Sequence, residues 1–158
     1  MRFILVLILS LLSVMVPAAE IRGKVVAVLD GDTVTVLDDL DKAQFRIRLS
    51  GIDAPEKKQA FGTAAKKHLS DMIFGKMVSV RFKDVDRYGR IVGIIWIDGE
   101  DINRRMLRDG MAWHYSHFDK TPEYAESERL ARNEKRGLWI ERNPVNPHQF
   151  RKMNRRKR

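Results

Sequence analysis

The sequence predicts an α+β fold, a five-stranded β-barrel carrying about three helices. Three observations lead there. Short runs rich in Val, Ile and Thr recur up to Ile97, bounded by Gly and Asp turn signals. One segment of helical spacing, Thr63 to Phe74, interrupts them. Beyond Gly99 the pattern turns helical.

Ile21 to Leu29 reads as the first strand and stops at the Asp30-Gly31 turn. Thr33 to Leu37 alternates as a second strand, and Asp38 to Asp41 turns the chain. Phe45 to Leu49 is the third, with Phe45, Ile47 and Leu49 on one face and Arg46 and Arg48 on the other. In the helix that follows, Ala65, Leu69, Met72 and Ile73 recur at three- and four-residue spacing, with Thr63 as its cap. Val78 to Phe82 and Ile91 to Ile97 are the last two strands, joined through the Asp86 to Arg90 turn. Ile102 to Arg108 is a short helix stopped by Gly110. Thr121 and Pro122 start a longer one that runs to Lys135, ahead of Gly137. Asn143 to Pro147 is an irregular strap. Five strands with helices in this order suit a small barrel, of which the oligonucleotide-binding (OB) kind is the common five-stranded case.

The chain has 158 residues, enough for one domain with a core, and 44% apolar against 32% charged content marks a globular class. The absence of cysteine excludes disulfides, thiolate metal sites and a cysteine nucleophile. Arg2, the apolar run Phe3 to Val16 and the small residues Pro17-Ala18-Ala19 form a secretory signal pattern, too short for the ~20 residues of a spanning helix. The expected organisation is therefore a signal peptide over 1–19, a barrel domain over 20–142, and a strap with a basic tail over 143–158. Cleavage would leave a secreted or periplasmic protein with no membrane anchor. The formal net charge is +9; setting aside Arg2 and the six cations Arg151, Lys152, Arg155, Arg156, Lys157 and Arg158 leaves about +2 for the folded body. Such a tail is either a polyanion-binding tag or a solvated extension.

Chemistry concentrates in three stretches. Asp30-Gly31-Asp32-Thr33 and Arg46-Ile47-Arg48-Leu49-Ser50-Gly51-Ile52-Asp53-Ala54-Pro55-Glu56 put carboxylates and a guanidinium at strand ends, and Asp86-Arg87-Tyr88-Gly89-Arg90 adds a second arginine on a turn. Asp32 and Asp53 in proximity would repel unless a cation lies between them, and oxygen ligands select Ca²⁺, Mg²⁺ or Mn²⁺ over zinc. Taken singly, each reads more readily as a turn-capping aspartate than as a ligand. Glu56, fixed behind Pro55, reads by itself more readily as a solvated loop glutamate, though beside a bound cation it would suit general-base work on a water. The arginines suit bidentate contact with phosphate oxygens. Trp113, Tyr115 and Phe118 either stack a base or seal the barrel, and the His114/His117 pair has no evident third metal ligand.

In this order the three stretches resemble the micrococcal (staphylococcal) nuclease family, over roughly Ile21 to Trp139. The resemblance implies an OB-type barrel with one helix between its third and fourth strands and two after the fifth. It implies a calcium-dependent nuclease that hydrolyses DNA and RNA with little sequence preference and leaves 3′-phosphate ends. Asp32 and Asp53 match its calcium-ligand aspartates, and Ala54 a position that lends the ion a backbone carbonyl. The micrococcal enzyme has threonine there, so the carbonyl is kept and a hydroxyl lost. Glu56 matches the general base, Arg48 and Arg90 the two arginines. Arg87 and Tyr88 match residues that contact a terminal nucleotide phosphate. A monomer with no stable protein partner is expected. The segment Lys57 to Gly62 is shorter than the micrococcal enzyme's mobile loop. The competing reading is a non-catalytic OB-fold nucleic-acid-binding protein with a basic tail.

Overall fold

The computed structural model describes residues 19–155. The expected signal segment lies outside them except for Ala19, which opens the first strand.

Six strands form one sheet in the order β3-β2-β1-β5-β6-β7: β1 (Ala19–Val28), β2 (Thr33–Asp38), β3 (Gln44–Leu49), β5 (Met77–Val85), β6 (Ile91–Ile97) and the short β7 (Glu100–Asp101). Parallel pairing of β3 with β6, Ile47 opposite Ile91 and Leu49 opposite Gly93, closes five of them into a barrel. The expected fold is therefore the observed one. The interior is filled as the alternation requires: Val25, Val34, Val36, Ile47, Val80 and Ile95 are fully buried. Helix α1 (Gly62–Ile73) lies between β3 and β5 and buries Leu69 and Ile73 against the same core. Helices α2 (Ile102–Arg108) and α3 (Pro122–Asn133) follow the fifth barrel strand, and α2 contributes Met106 and Leu107. A smaller cluster of Ala131, Leu138 and Trp139, with Trp113 and Phe61 against it, seals the far side of α3.

Four features depart from the expectation. Thr63 sits inside the first turn of α1 rather than capping it. The cap position is Phe61, in the left-handed region at φ 64° and without a side-chain cap bond. The helix expected to run to Lys135 ends at Asn133. A two-residue ladder pairs β4 (Ile52–Asp53) with β8 (Trp113–His114). Finally, the strap and tail are not irregular throughout: Pro147–Arg155 is a fourth helix, α4.

One buried polar side chain fastens these parts. Asn103 of α2, wholly buried, accepts from the Ile95 amide at 3.2 Å and donates to the Ser50 and Gly93 carbonyls at 3.0 Å each. Satisfied on three sides, it fixes α2 to β6 and to the corner that carries β3 into β4.

Candidate active site at the barrel rim

The β1–β2 turn and the β3–β4 corner lie against each other at one end of the barrel. Their approach is close enough to require Gly31, where a Cβ would fall 2.7 Å from the Ala54 Cβ and 2.9 Å from that of Ala65. The Leu49 amide donates to the Asp32 carbonyl at 2.8 Å, and the Ala54 amide donates to Asp32 Oδ2 at 2.8 Å. The turn holding Asp32 is thereby locked to the corner holding Asp53 and Ala54.

Both aspartates are buried, Asp32 at 7% and Asp53 at 2% exposure. Arg48 reaches between them: its Nη2 is 3.2 Å from Asp32 Oδ2 and 3.3 Å from Asp53 Oδ1, while Nη1 donates to the Leu49 carbonyl at 2.8 Å. Arg48 thus leaves the strand on the face expected for it but stays mostly buried, whereas Arg46 is exposed. Burial pushes the Asp32 carboxyl up to about 7, with Asp30 and Asp53 adding to the rise against the opposing Arg48 charge and Ala54 amide.

Glu56 stands one step outward, its side chain 40% exposed. Its backbone is pinned twice. The amide donates to Gln59 Oε1 at 3.1 Å, and the carbonyl lies against Gly62 so closely that a Cβ there would sit 2.0 Å from it. Only glycine admits this approach at the start of α1.

Asp32, Arg48, Asp53, Ala54 and Glu56 are thus brought to one rim. Arg90 closes the turn immediately before β6, the strand beside β3, but its guanidinium bonds Asp86 at 2.8 Å rather than either buried aspartate. In the same turn the Arg87 guanidinium donates to the Tyr88 hydroxyl at 2.7 Å, and the exposed Tyr88 ring lies between Arg87 and Arg90, 4.9 and 5.5 Å from ring centre to guanidinium. Trp113 does not face outward: it packs edge-on to Trp139 at 4.5 Å with Arg132 over both rings, which is the sealing role. Phe118 is exposed and packs on Tyr115. His114 pairs with Asp119 at 2.9 Å, and His117 lies edge-on to Phe118.

The described residues hold no group of three or more His, Cys, Asp or Glu side chains arranged for a metal. The donors at the rim are two carboxylates with the adjoining Ala54 backbone. Such an all-oxygen set fits a hard divalent cation that keeps part of its water shell.

Sequence reasoning missed Arg151. Its Nη1 donates to Asp53 Oδ1 at 3.1 Å and to Glu56 Oε1 at 2.7 Å, and its Nη2 to Asp53 Oδ2 at 2.9 Å. The helix that carries it had a local signal: Asn146, whose side chain accepts from the His148 amide at 2.9 Å, immediately before Pro147. The 95-residue separation between Glu56 and Arg151 had none.

A small barrel with buried carboxylates and a guanidinium at its rim defines an OB-type barrel equipped for phosphate chemistry. The model of the family described as Staphylococcal nuclease homologue matches residues 46–141, more than half of the chain. An Escherichia coli protein described as an uncharacterized endonuclease is 43% identical over 148 residues, covering 93% of this chain and 95% of its own. A protein named micrococcal nuclease from Shigella flexneri is 40% identical over 153 residues, covering 89% and 87%. Protein ParB of Escherichia coli is 42% identical over 156 residues, covering 91% and 87%. The chain belongs to the staphylococcal nuclease family.

Proposed function

We propose that this nuclease is calcium-dependent and hydrolyses DNA and RNA with little sequence preference, leaving 3′-phosphate and 5′-hydroxyl ends. The observation that carries the reading is the convergence of buried Asp32 and Asp53 on Arg48 at the barrel rim, with Glu56 beside them. Asp32, Asp53 and the Ala54 carbonyl would hold the ion. When bound, it would supply positive charge to a phosphate oxygen.

The chain's own residues perform the rest. Glu56, exposed and pinned through its backbone, accepts a proton from the attacking water, whose oxygen bonds to phosphorus. Arg48 meets the charge that grows on the non-bridging oxygens, in a site dry enough for that contact to count. The bond from phosphorus to the 5′-oxygen breaks, and Arg90 stabilises the charge on that leaving oxygen before it is protonated. In this role Arg90 exchanges Asp86 for the substrate. Arg87 and Tyr88, already joined through the phenol, present a cation and a hydroxyl to a terminal phosphate.

Export completes the proposal: it rests on Arg2 and the apolar run to Val16. Among the described residues no helix is long and apolar enough to cross a membrane. A monomer acting on nucleic acid without a standing protein partner is sufficient for this chemistry.

Glu56→Gln tests the assignment. It keeps the loop and its backbone bonds but removes the proton acceptor, and single-turnover cleavage should fall by ~10²–10⁴. Retention of wild-type rate would remove Glu56 from the mechanism.

A further inference from the structure

We propose that α4 is an autoinhibitory latch, with Arg151 taking the carboxylate oxygens of Asp53 and Glu56 that a cation and an attacking water need, so that the latch and divalent-cation binding are mutually exclusive. This deepens the functional reading and rests on it.

Three observations support the latch. The first is the bond pattern: one guanidinium engages both oxygens of Asp53 and one of Glu56, all within 3.1 Å. Those lone pairs serve either the arginine or a metal ion, and a divalent cation a few ångströms away would repel the guanidinium. Arg48 holds Asp32 and Asp53 from the barrel side, so Arg151 closes the solvent side.

The second is how lightly α4 is otherwise held. Of its residues only Pro147 is buried, and a cleft of about 310 Å³ remains between Phe150, Arg151, Asn154 and Arg155 on one side and Glu56 to Lys58 on the other. Beyond Pro147 and the half-buried Phe150, the arginine contacts hold α4 in place, and a ligand that competes for them can release the helix.

The third is the tether. Gln59 donates from Nε2 to the Val145 carbonyl at 2.5 Å while its Oε1 accepts from the Glu56 amide. The strap is thereby fastened to the Glu56 loop immediately before α4 begins, which aims Arg151 at the site. Released, the same helix offers Arg151, Lys152 and Arg155 to a polyanion.

The test measures calcium binding by titration calorimetry on the protein beginning at Glu20, without nucleic acid. Arg151→Gln should tighten calcium by about 5- to 150-fold, the usual span of coupling between two ligands. Lys152→Gln removes the same charge one residue further along and, being exposed and screened, should change affinity no more than about twofold. In the wild-type protein, calcium should speed amide hydrogen exchange across His148 to Asn154. Equal or weaker calcium binding in Arg151→Gln overturns the latch while leaving the metal site intact. So does an equal gain in Lys152→Gln, which would reduce the effect to net charge, or unchanged exchange in α4. Failure of every form to bind calcium removes the metal reading, and the latch with it.

Discussion

Replacing Arg48 with lysine separates charge from geometry at the rim. The arginine makes three contacts at once: Nη2 to Asp32 at 3.2 Å and to Asp53 at 3.3 Å, and Nη1 to the Leu49 carbonyl at 2.8 Å. A lysine keeps the positive charge, so the buried aspartates are not abandoned, and the ~3–5 kcal/mol cost of breaking a buried pair outright is not incurred. The ammonium cannot span all three acceptors as the fork does. The lost charge-assisted bond to the Leu49 carbonyl should cost about 1.5–3 kcal/mol of stability. The same loss removes a preorganised donor aimed at the developing phosphate charge, which should lower the chemical step by ~10²–10³. Urea unfolding and single-turnover cleavage of single-stranded DNA, on the same preparation, read the two effects separately. Near-normal cleavage in Arg48→Lys would refute the argument that the fork, and not merely a cation, works at this rim. A collapse in stability far beyond 3 kcal/mol would show that lysine fails to compensate Asp32 and Asp53.

Two further substitutions test the scaffold. Gly62→Ala places a Cβ 2.0 Å from the Glu56 carbonyl, so the Glu56 loop must move; thermal unfolding should show a loss of about 1–3 kcal/mol, and cleavage should fall with it. At the C-terminal end of α2, hydrogen bonds from His68 and Arg105 outweigh burial and bring the Asp109 carboxyl down to about 2. A lowered carboxylate stabilises the fold above its unfolded value of 3.8 and loses that contribution as pH falls towards 2. Discounted for partial exposure of the partners, Asp109→Asn should cost about 1–2 kcal/mol at pH 7. Urea midpoints of the two proteins should converge between pH 5 and pH 2; a constant gap would contradict the ion-pair origin.

The barrel was legible because its signals are local. Period-two alternation in Phe45 to Leu49 and a helical stripe through Leu69 and Ile73 report directly which faces are buried, and the structure buries those faces. Convergence of Asp32, Arg48, Asp53, Ala54 and Glu56 was legible only through the resemblance, since nothing in the spacing of Asp32 and Asp53 states that the Ala54 amide bonds Asp32. The misses have physical causes. Phe61 takes a left-handed backbone so that Gly62 can meet the Glu56 carbonyl, which overrides Thr63 as a cap. The β4–β8 ladder is two residues long, below what alternation can report. Arg151 was counted as one charge among six, because a run of like charges reads as solvated unless an acidic partner comes from elsewhere in the fold. Asp53 and Glu56 are that partner.

The central claim is that a cation held at Asp32 and Asp53 drives hydrolysis of the bond between phosphorus and the 5′-oxygen. The most direct measurement incubates the protein beginning at Glu20 with single-stranded DNA, in calcium and in chelator, and identifies the new ends. The account predicts cleavage with calcium alone, 3′-phosphates on one product and 5′-hydroxyls on the other. Cleavage that persists in chelator would contradict the metal site, 5′-phosphate ends would contradict the bond assigned, and tight binding without cleavage under any divalent ion would leave a nucleic-acid-binding barrel in place of the enzyme.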